Sequence, residues 1–317
     1  MMDSTIEEDL YEVLENEISE LELQLQTAKE RLTKSRSKAN NSKTSSSLSP
    51  SSNPSEQSAH HYLLLLSDSA LPLGSFAFSS GLESYLTHTR GPSRGSNIRS
   101  GSSSTSTFSS FLPLSLSSYA STTLPFTLAA HRDPTSQNVA QLDDTLDAAI
   151  ICTVGRRASV AQGRALLSIW EKSIGPSTST STSTSGDALR RYAETLRSSS
   201  SGGKGSKKDG SEPPPVSAHL APLFGAVAAL CGLTLRQAAY VFMLSHVKAL
   251  VSAAVRAGLF GPYQAQRVLA GAEVQGLLAD VIEREWDTPV EGAGQSVPVM
   301  DLWVGRHELL YSRIFNS

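Results

Sequence analysis

A chain of 317 residues is long enough for one large or two ordinary domains, but a hydrophobic share of 39% and heavy use of serine mean that part of that length cannot be core. The formal net charge of −3, with no basic stripe interleaved with aromatics, excludes nucleic acid as the expected partner. Two cysteines, Cys152 and Cys231, exclude a disulfide framework and read as reduced thiols; with an acidic N-terminus that carries neither a secretory nor a transit pattern, the expected location is cytoplasmic.

The chain opens with apolar side chains at Leu14, Ile18, Leu21, Leu25, Ala28 and Leu32, stepping by four and three, with Glu early and Lys or Arg late. This heptad pattern predicts a coiled-coil N-terminal helix within residues 1–35, either a dimerising or adaptor helix or a solvated helix on an extension. Residues 36–58, rich in Ser, Asn and Lys, have almost no apolar surface to offset ordering entropy and read as a disordered linker. The remainder, 59–317, reads as one all-α domain with low-complexity insertions at 91–110 and 175–215.

That domain is organised around Tyr62 to Leu86. Leu63 to Leu66 are far too few to cross a bilayer, and no membrane partner is expected. Asp68 and Ser69 can cap backbone groups, Pro72 cannot continue a helix, and Gly74 frees the turn. Ser79 and Ser80 offer an N-cap to a second helix, whose Glu83 lies near the positive end of the dipole. Leu71, Leu73, Phe76 and Phe78 make the intervening loop too apolar to face water alone. Asp68 and Glu83 read as caps and dipole partners, with polar lining of a passage for a metal ion as the alternative.

Further along, a helix is predicted from about Pro125 to before Pro134, and Val139 to Trp170 carries the strongest helical periodicity, with Gly155 as its break point. Arg156, Arg157 and Arg164 either pair with Asp143, Asp144 or Asp147 one turn away or form a basic patch for a partner. A short helix near Ala188 to Leu196 interrupts the second insertion. The Gly-Gly-Lys-Gly-Ser run at 202–206 fails the phosphate-loop frame, so the chain is not expected to be a GTPase. Gly232 stops a helix that follows Ala218, and Thr234 to Gln237 form a capping box. The next helix, Leu235 to Ala257, is apolar almost all round and should be buried; Gly261-Pro262 then starts a last long helix to about Trp286. With no strand alternation anywhere, the fold class is all-α, a helical bundle of roughly eight to ten helices.

Two motifs and the tail carry a resemblance. The string L-L-x-x-S-D-S-A-L-P-L-G-S-F-A-x-S-x-G-L-E, with Asp68, Pro72, Gly74, Phe76, Ser79, Gly81 and Glu83, resembles the opening signature of the UreF-type urease accessory proteins. Phe78 stands where many relatives have His, so it receives no metal-ligand role. Arg157, Ser159, Gln162 and Gly163, after Leu146-Asp147, resemble a second signature; His219 to Gly225, Ala249 to Val255, and the final residues Arg306 to Ser317 also match. The chain thus resembles a eukaryotic-looking member over 62–317, less the insertions.

The resemblance implies a chaperone of urease maturation, not an enzyme, that bridges a UreD-type (UreH) scaffold and the GTPase UreG, regulates GTP hydrolysis, and helps insert nickel into apo-urease. Nickel would be a transferred ion and not a stably bound cofactor, and the chain a homodimer. It further implies a partner-binding tail over 297–317, through Arg306, His307, Tyr311, Arg313, Ile314 and Phe315. The residues agree in part: no G-x-S-x-G elbow, H-E-x-x-H pair or convergent triad is visible, so no catalytic residue is assigned. Neither is a metal ligand: His60 and His61 point apart on a helix, His219 and His246 read as core histidines, and His307 is better placed to touch a partner. Leu310, Tyr311, Ile314 and Phe315 would share one helical face, which either folds back on the core or orders on another protein; the resemblance favours the second. The alternatives are a helical coiled-coil scaffold unrelated to nickel and a metallochaperone that binds nickel itself.

Overall fold

The computed structural model describes residues 54–89, 101–178, 186–201 and 216–316, together with Gln26 and Lys29, which are helical and exposed. The chain divides into two units, Met1–Ser52 and Asn53–Ser317. Apart from those two residues, the predicted coiled coil at 1–35 and most of the linker lie outside the described residues, as do residue 90 and, within the two insertions, 91–100, 179–185 and 202–215.

In the second unit the elements run α1 (Pro54–Ser67), a 3₁₀ turn (Ser75–Ala77), α2 (Leu82–Thr89), α3 (Gly101–Arg132), α4 (Ser136–Ala149) and α5 (Thr153–Ile169). A π turn (Trp170–Ile174) leads to α6 (Gly175–Thr178), α7 (Gly186–Ser201), α8 (Leu220–Leu230), α9 (Leu235–Arg256), α10 (Pro262–Ala270), α11 (Ala272–Glu285) and α12 (Val299–Arg306). No strand occurs among the described residues, so the fold is all-α.

The core is built on α3, α8 and α9. Small residues along α8, among them Ala221, Gly225 and Ala228, let it lie close against α3, where the Thr127 hydroxyl donates to Ala221 O at 3.2 Å. Helix α9 opens with the expected capping box: Thr234 accepts from Gln237 N, and Gln237 returns a bond to Thr234 N. By length and composition α9 could cross a membrane, but more than half of its apolar stretch is buried within the chain, with Phe242, Met243, Val247 and Leu250 against neighbouring helices.

Several boundaries differ from those expected. Helix α3 does not begin near Pro125 but at Gly101, inside the stretch read as an insertion, and it buries Phe108 and Phe111. It continues through Pro113 and Pro125. Pro125 has no N–H for the carbonyl of Ser121, and Gly294 N supplies the missing bond to that oxygen at 3.0 Å. The long periodic segment breaks at Ile150–Cys152 and not at Gly155, which lies in the first turn of α5. Gly271, in an extended conformation, divides the last long helix into α10 and α11. Part of the second insertion is core: α7 is amphipathic and buries Leu189, Tyr192 and Ala193. Helix α1 begins at Pro54, within the segment read as linker.

Candidate functional site

The apolar loop after α1 is covered in part from within the chain: Leu71, Leu73 and Phe78 are half-buried, and Phe76 stays exposed. Asp68 is exposed and closes a local turn by accepting from Ala70 N at 3.0 Å; Pro72 is exposed, and Gly74 leads into the 3₁₀ turn in the left-handed region. Ser79 is fully buried and accepts from Glu83 N at 3.5 Å, capping α2. Gly81 has φ +85°, and a Cβ there would lie 3.1 Å from Val304 N. Only glycine permits both that backbone and the approach of α12.

Glu83 is buried and turns away from its own helix toward the C-terminus. Its carboxylate accepts from His307 Nε2 at 2.9 Å, Ile314 N at 2.7 Å and Phe315 N at 3.3 Å. Glu83 keeps the first-turn place near the dipole's positive end expected from the sequence, and its bonds to the C-terminal segment are a further role that the sequence did not offer. The tail beyond the 3₁₀ turn His307–Leu309 is not helical; it runs across the loop, with Asn316 N donating to Ala77 O at 2.8 Å. Phe315 is 4% exposed beneath the Arg256 guanidinium, which lies 4.3 Å from the ring centroid and also donates to Phe76 O. His307, expected to meet a partner, is fully buried, and its Nδ1 has no hydrogen-bond partner. Tyr311 (107% exposed), Ile314 (61%) and Phe76 (65%) face outward from this arrangement.

The second signature meets the first and the tail. Ser75 Oγ donates to Gln162 Oε1 at 2.8 Å. Arg157 pairs with Glu308, which also receives Arg313 at 3.0 Å, and the two guanidiniums, Arg157 foremost, hold the Glu308 carboxyl below the usual range. Arg157 thus finds its carboxylate in the tail and not on α4. Arg156 does turn to Asp147, at 3.6 Å, whereas Arg164 donates to Ser217 O. Arg306 is exposed on the last turn of α12.

Ser159 and Gly163 serve the start of α8. A Cβ at Gly163 would fall 2.1 Å from Ala218 O and 2.6 Å from the His219 carbonyl carbon, so glycine is needed for α5 and α8 to touch backbone to backbone. Ala218 has φ 71°, a strained value for a residue with a side chain, and it is held there by Asp143. That fully buried carboxylate, which the sequence offered only as an ion-pair partner for an arginine, accepts from Ser217 N at 2.6 Å, Ala218 N at 3.0 Å and His219 N at 2.6 Å. His219 lies between Ser159 Oγ at 3.0 Å and Asp147 Oδ1 at 2.9 Å. The carboxylate takes the Nε2–H, which leaves Nδ1 to accept the Ser159 hydroxyl. Ser159 Oγ also receives Leu220 N at 3.3 Å, so this Ser–His–Asp chain is a clasp for the helix start.

Between the two signatures lies a cavity of about 440 Å³, bounded by Leu73, Phe78, Tyr119, Gln162, Phe242 and His246 among others. His246 stacks on Tyr119 with centroids 4.0 Å apart and bonds to Ser115 Oγ at 3.0 Å. Burial alone pushes its imidazole down to about 3, so it is neutral at ordinary pH. Burial also lowers His131, whose Nε2 meets Leu233 O at 2.9 Å, and raises the Cys231 thiol to about 12, while Cys152 is half-buried at the start of α5. His60 and His61 are exposed on α1. Among the described residues no three His, Cys, Asp or Glu side chains gather as a metal site.

Residues 103–273 match the family model described as UreF. An uncharacterized urease accessory protein UreF-like of Schizosaccharomyces pombe is 36% identical over 264 residues, 82% of this chain and 98% of the relative. The urease accessory protein F of Oryza sativa subsp. japonica is 31% identical over 254 residues, 79% of this chain and 82% of its own. Urease accessory protein 6 of Cryptococcus neoformans is 28% identical over 329 residues, 84% and 99% of the two chains. The family model covers the second signature and the α3–α5–α8–α9 core, and the relatives extend the match across most of the chain. With two signatures and a tail that close on one another in an all-α fold, this chain belongs to the UreF family of urease accessory proteins.

Proposed function

We propose that the chain acts in urease maturation by positioning other proteins, with a UreD-type scaffold docking on the surface formed by the tail and the signature loop. The observation that carries this reading is the set of outward side chains Phe76, Tyr311 and Ile314 around the Glu83 clasp. Large apolar and aromatic groups held exposed on a fixed backbone are the usual anchors of an interface. His307 and Phe315, buried in the chain, would support that surface, and Arg313 and Arg306 would supply charge at its rim. The GTPase UreG would bind elsewhere on a homodimer, and nickel would pass to apo-urease as cargo, with GTP hydrolysis and metal release linked by a coupling free energy.

The test is capture of the UreD-type partner by the full chain and by a Tyr311→Ala, Ile314→Ser double variant. Both changes are on exposed side chains, so helicity by circular dichroism stays the same. Loss of capture supports the reading; undiminished capture overturns it.

A further inference from the structure

Few apolar anchors hold the tail. Between Leu310 and Asn316 only Leu310 and Phe315 are buried, while Tyr311, Ser312, Arg313 and Ile314 face solvent. An end segment with so little burial frays unless its backbone is tied down. The ties converge on one side chain. Glu83 is 8% exposed; among the described residues no arginine or lysine pairs with it, and the donors to its carboxylate, His307 Nε2, Ile314 N and Phe315 N, all belong to the C-terminal segment. A buried carboxylate without such donors carries a large desolvation cost, so removal of either side of the arrangement weakens the other.

We infer that Glu83 is the positioning residue that seats the tail in the free chain, with His307 as its partner, so that the outward face of Tyr311 and Ile314 exists before any partner arrives. The register of the bonds sets that face. Ile314 N and Phe315 N both turn to one carboxylate, which directs the Phe315 ring under Arg256 and the Ile314 side chain to solvent. A surface ordered in advance binds without the entropic cost of ordering it, so loss of the clasp should weaken docking even though no docking side chain changes. This last step rests on the docking reading above; the clasp does not.

The experiment is amide hydrogen exchange on the full chain, wild type, Glu83→Gln and Ile314→Pro, with capture of the UreD-type partner measured alongside for wild type and Glu83→Gln. Glutamine keeps an oxygen for one tail amide and places an NH₂ where the carboxylate accepted two donors. Proline removes one tail donor and leaves the wall around Glu83 intact. In both variants exchange at Phe315 and Asn316 should quicken by about tenfold or more while amides of α9 keep their protection. Unchanged tail exchange in Ile314→Pro overturns the clasp, whether or not Glu83→Gln remains folded. Faster tail exchange with equally weakened capture supports both clasp and docking. Faster tail exchange with undiminished capture leaves the clasp standing and overturns the step from clasp to docking, while the docking reading itself is decided by the Tyr311→Ala, Ile314→Ser variant.

Discussion

His246 offers a quantitative check on the interior of this fold. Its imidazole stacks on Tyr119, bonds to Ser115 and borders the cavity, and burial depresses it from the ordinary 6.5 to about 3. The depressed group is a base, so the unfolded chain binds a proton that the folded chain refuses. Stability is therefore fully present above the unfolded value, falls as pH drops through 6.5 toward about 3, and is level below that. From about pH 7 to about pH 5 the loss attributable to this side chain is about 2 kcal/mol, from 1.36 kcal/mol per pKa unit over the part of the window traversed. Urea unfolding followed by circular dichroism at both pH values measures it, with His246→Gln as the reference. Glutamine keeps a polar group near Ser115 but does not titrate, and every other group cancels in the difference between the two proteins. The wild type should lose about 2 kcal/mol more than the variant over that interval. Parallel losses would refute the reasoning, because they would mean that the cavity is wet enough to carry a protonated imidazole at little cost.

Three other perturbations have definite expected outcomes. Gly163→Ala places a methyl 2.1 Å from a backbone oxygen of Ala218 that cannot swing aside, so α5 and α8 must separate; a loss of more than about 3 kcal/mol in urea unfolding is expected, and a loss below 1 would contradict the close approach. Asp143→Asn keeps the shape but turns one acceptor into a donor facing backbone N–H groups that strained Ala218 depends on, with an expected loss of about 2–3 kcal/mol in the same assay. Arg256→Ala uncovers Phe315 and releases the Phe76 carbonyl, so proteolytic cleavage within 310–316 should quicken while the melting of α9 changes little.

The tail and the cavity are joined through one loop. The loop between α1 and α2 has the cavity on one side, through Leu73 and Phe78, and the tail on the other, through the Ala77 carbonyl that accepts from Asn316 N. Ser75 ties this loop to Gln162, and Arg157 ties the same helix α5 to Glu308. A change at the tail therefore has a continuous path of hydrogen bonds to the second signature.

Local chemistry made much of this legible in advance. The capping box at Thr234, the apolar circumference of α9 and the absence of strand alternation all follow from short-range rules, and each appears in the structure. The family could be read for the same reason, since both signatures are contiguous strings. Where local rules failed, the cause was a partner distant in sequence. Pro125 looked like a helix start because a proline lacks an N–H; it is internal because Gly294 satisfies the carbonyl it abandons. The tail looked helical because Leu310, Tyr311, Ile314 and Phe315 have helical spacing; it is irregular because its amides find a buried carboxylate instead of their own carbonyls. Glu83 looked like a cap because it lies in the first turn of α2, yet its imidazole partner is 224 positions away. Sequence alone determined the all-α class and which strings mark the family, because propensity, capping and periodicity act within a few turns. Tertiary structure alone decided which outward groups remain, because the pairing of a buried charge depends on what the folded chain brings beside it.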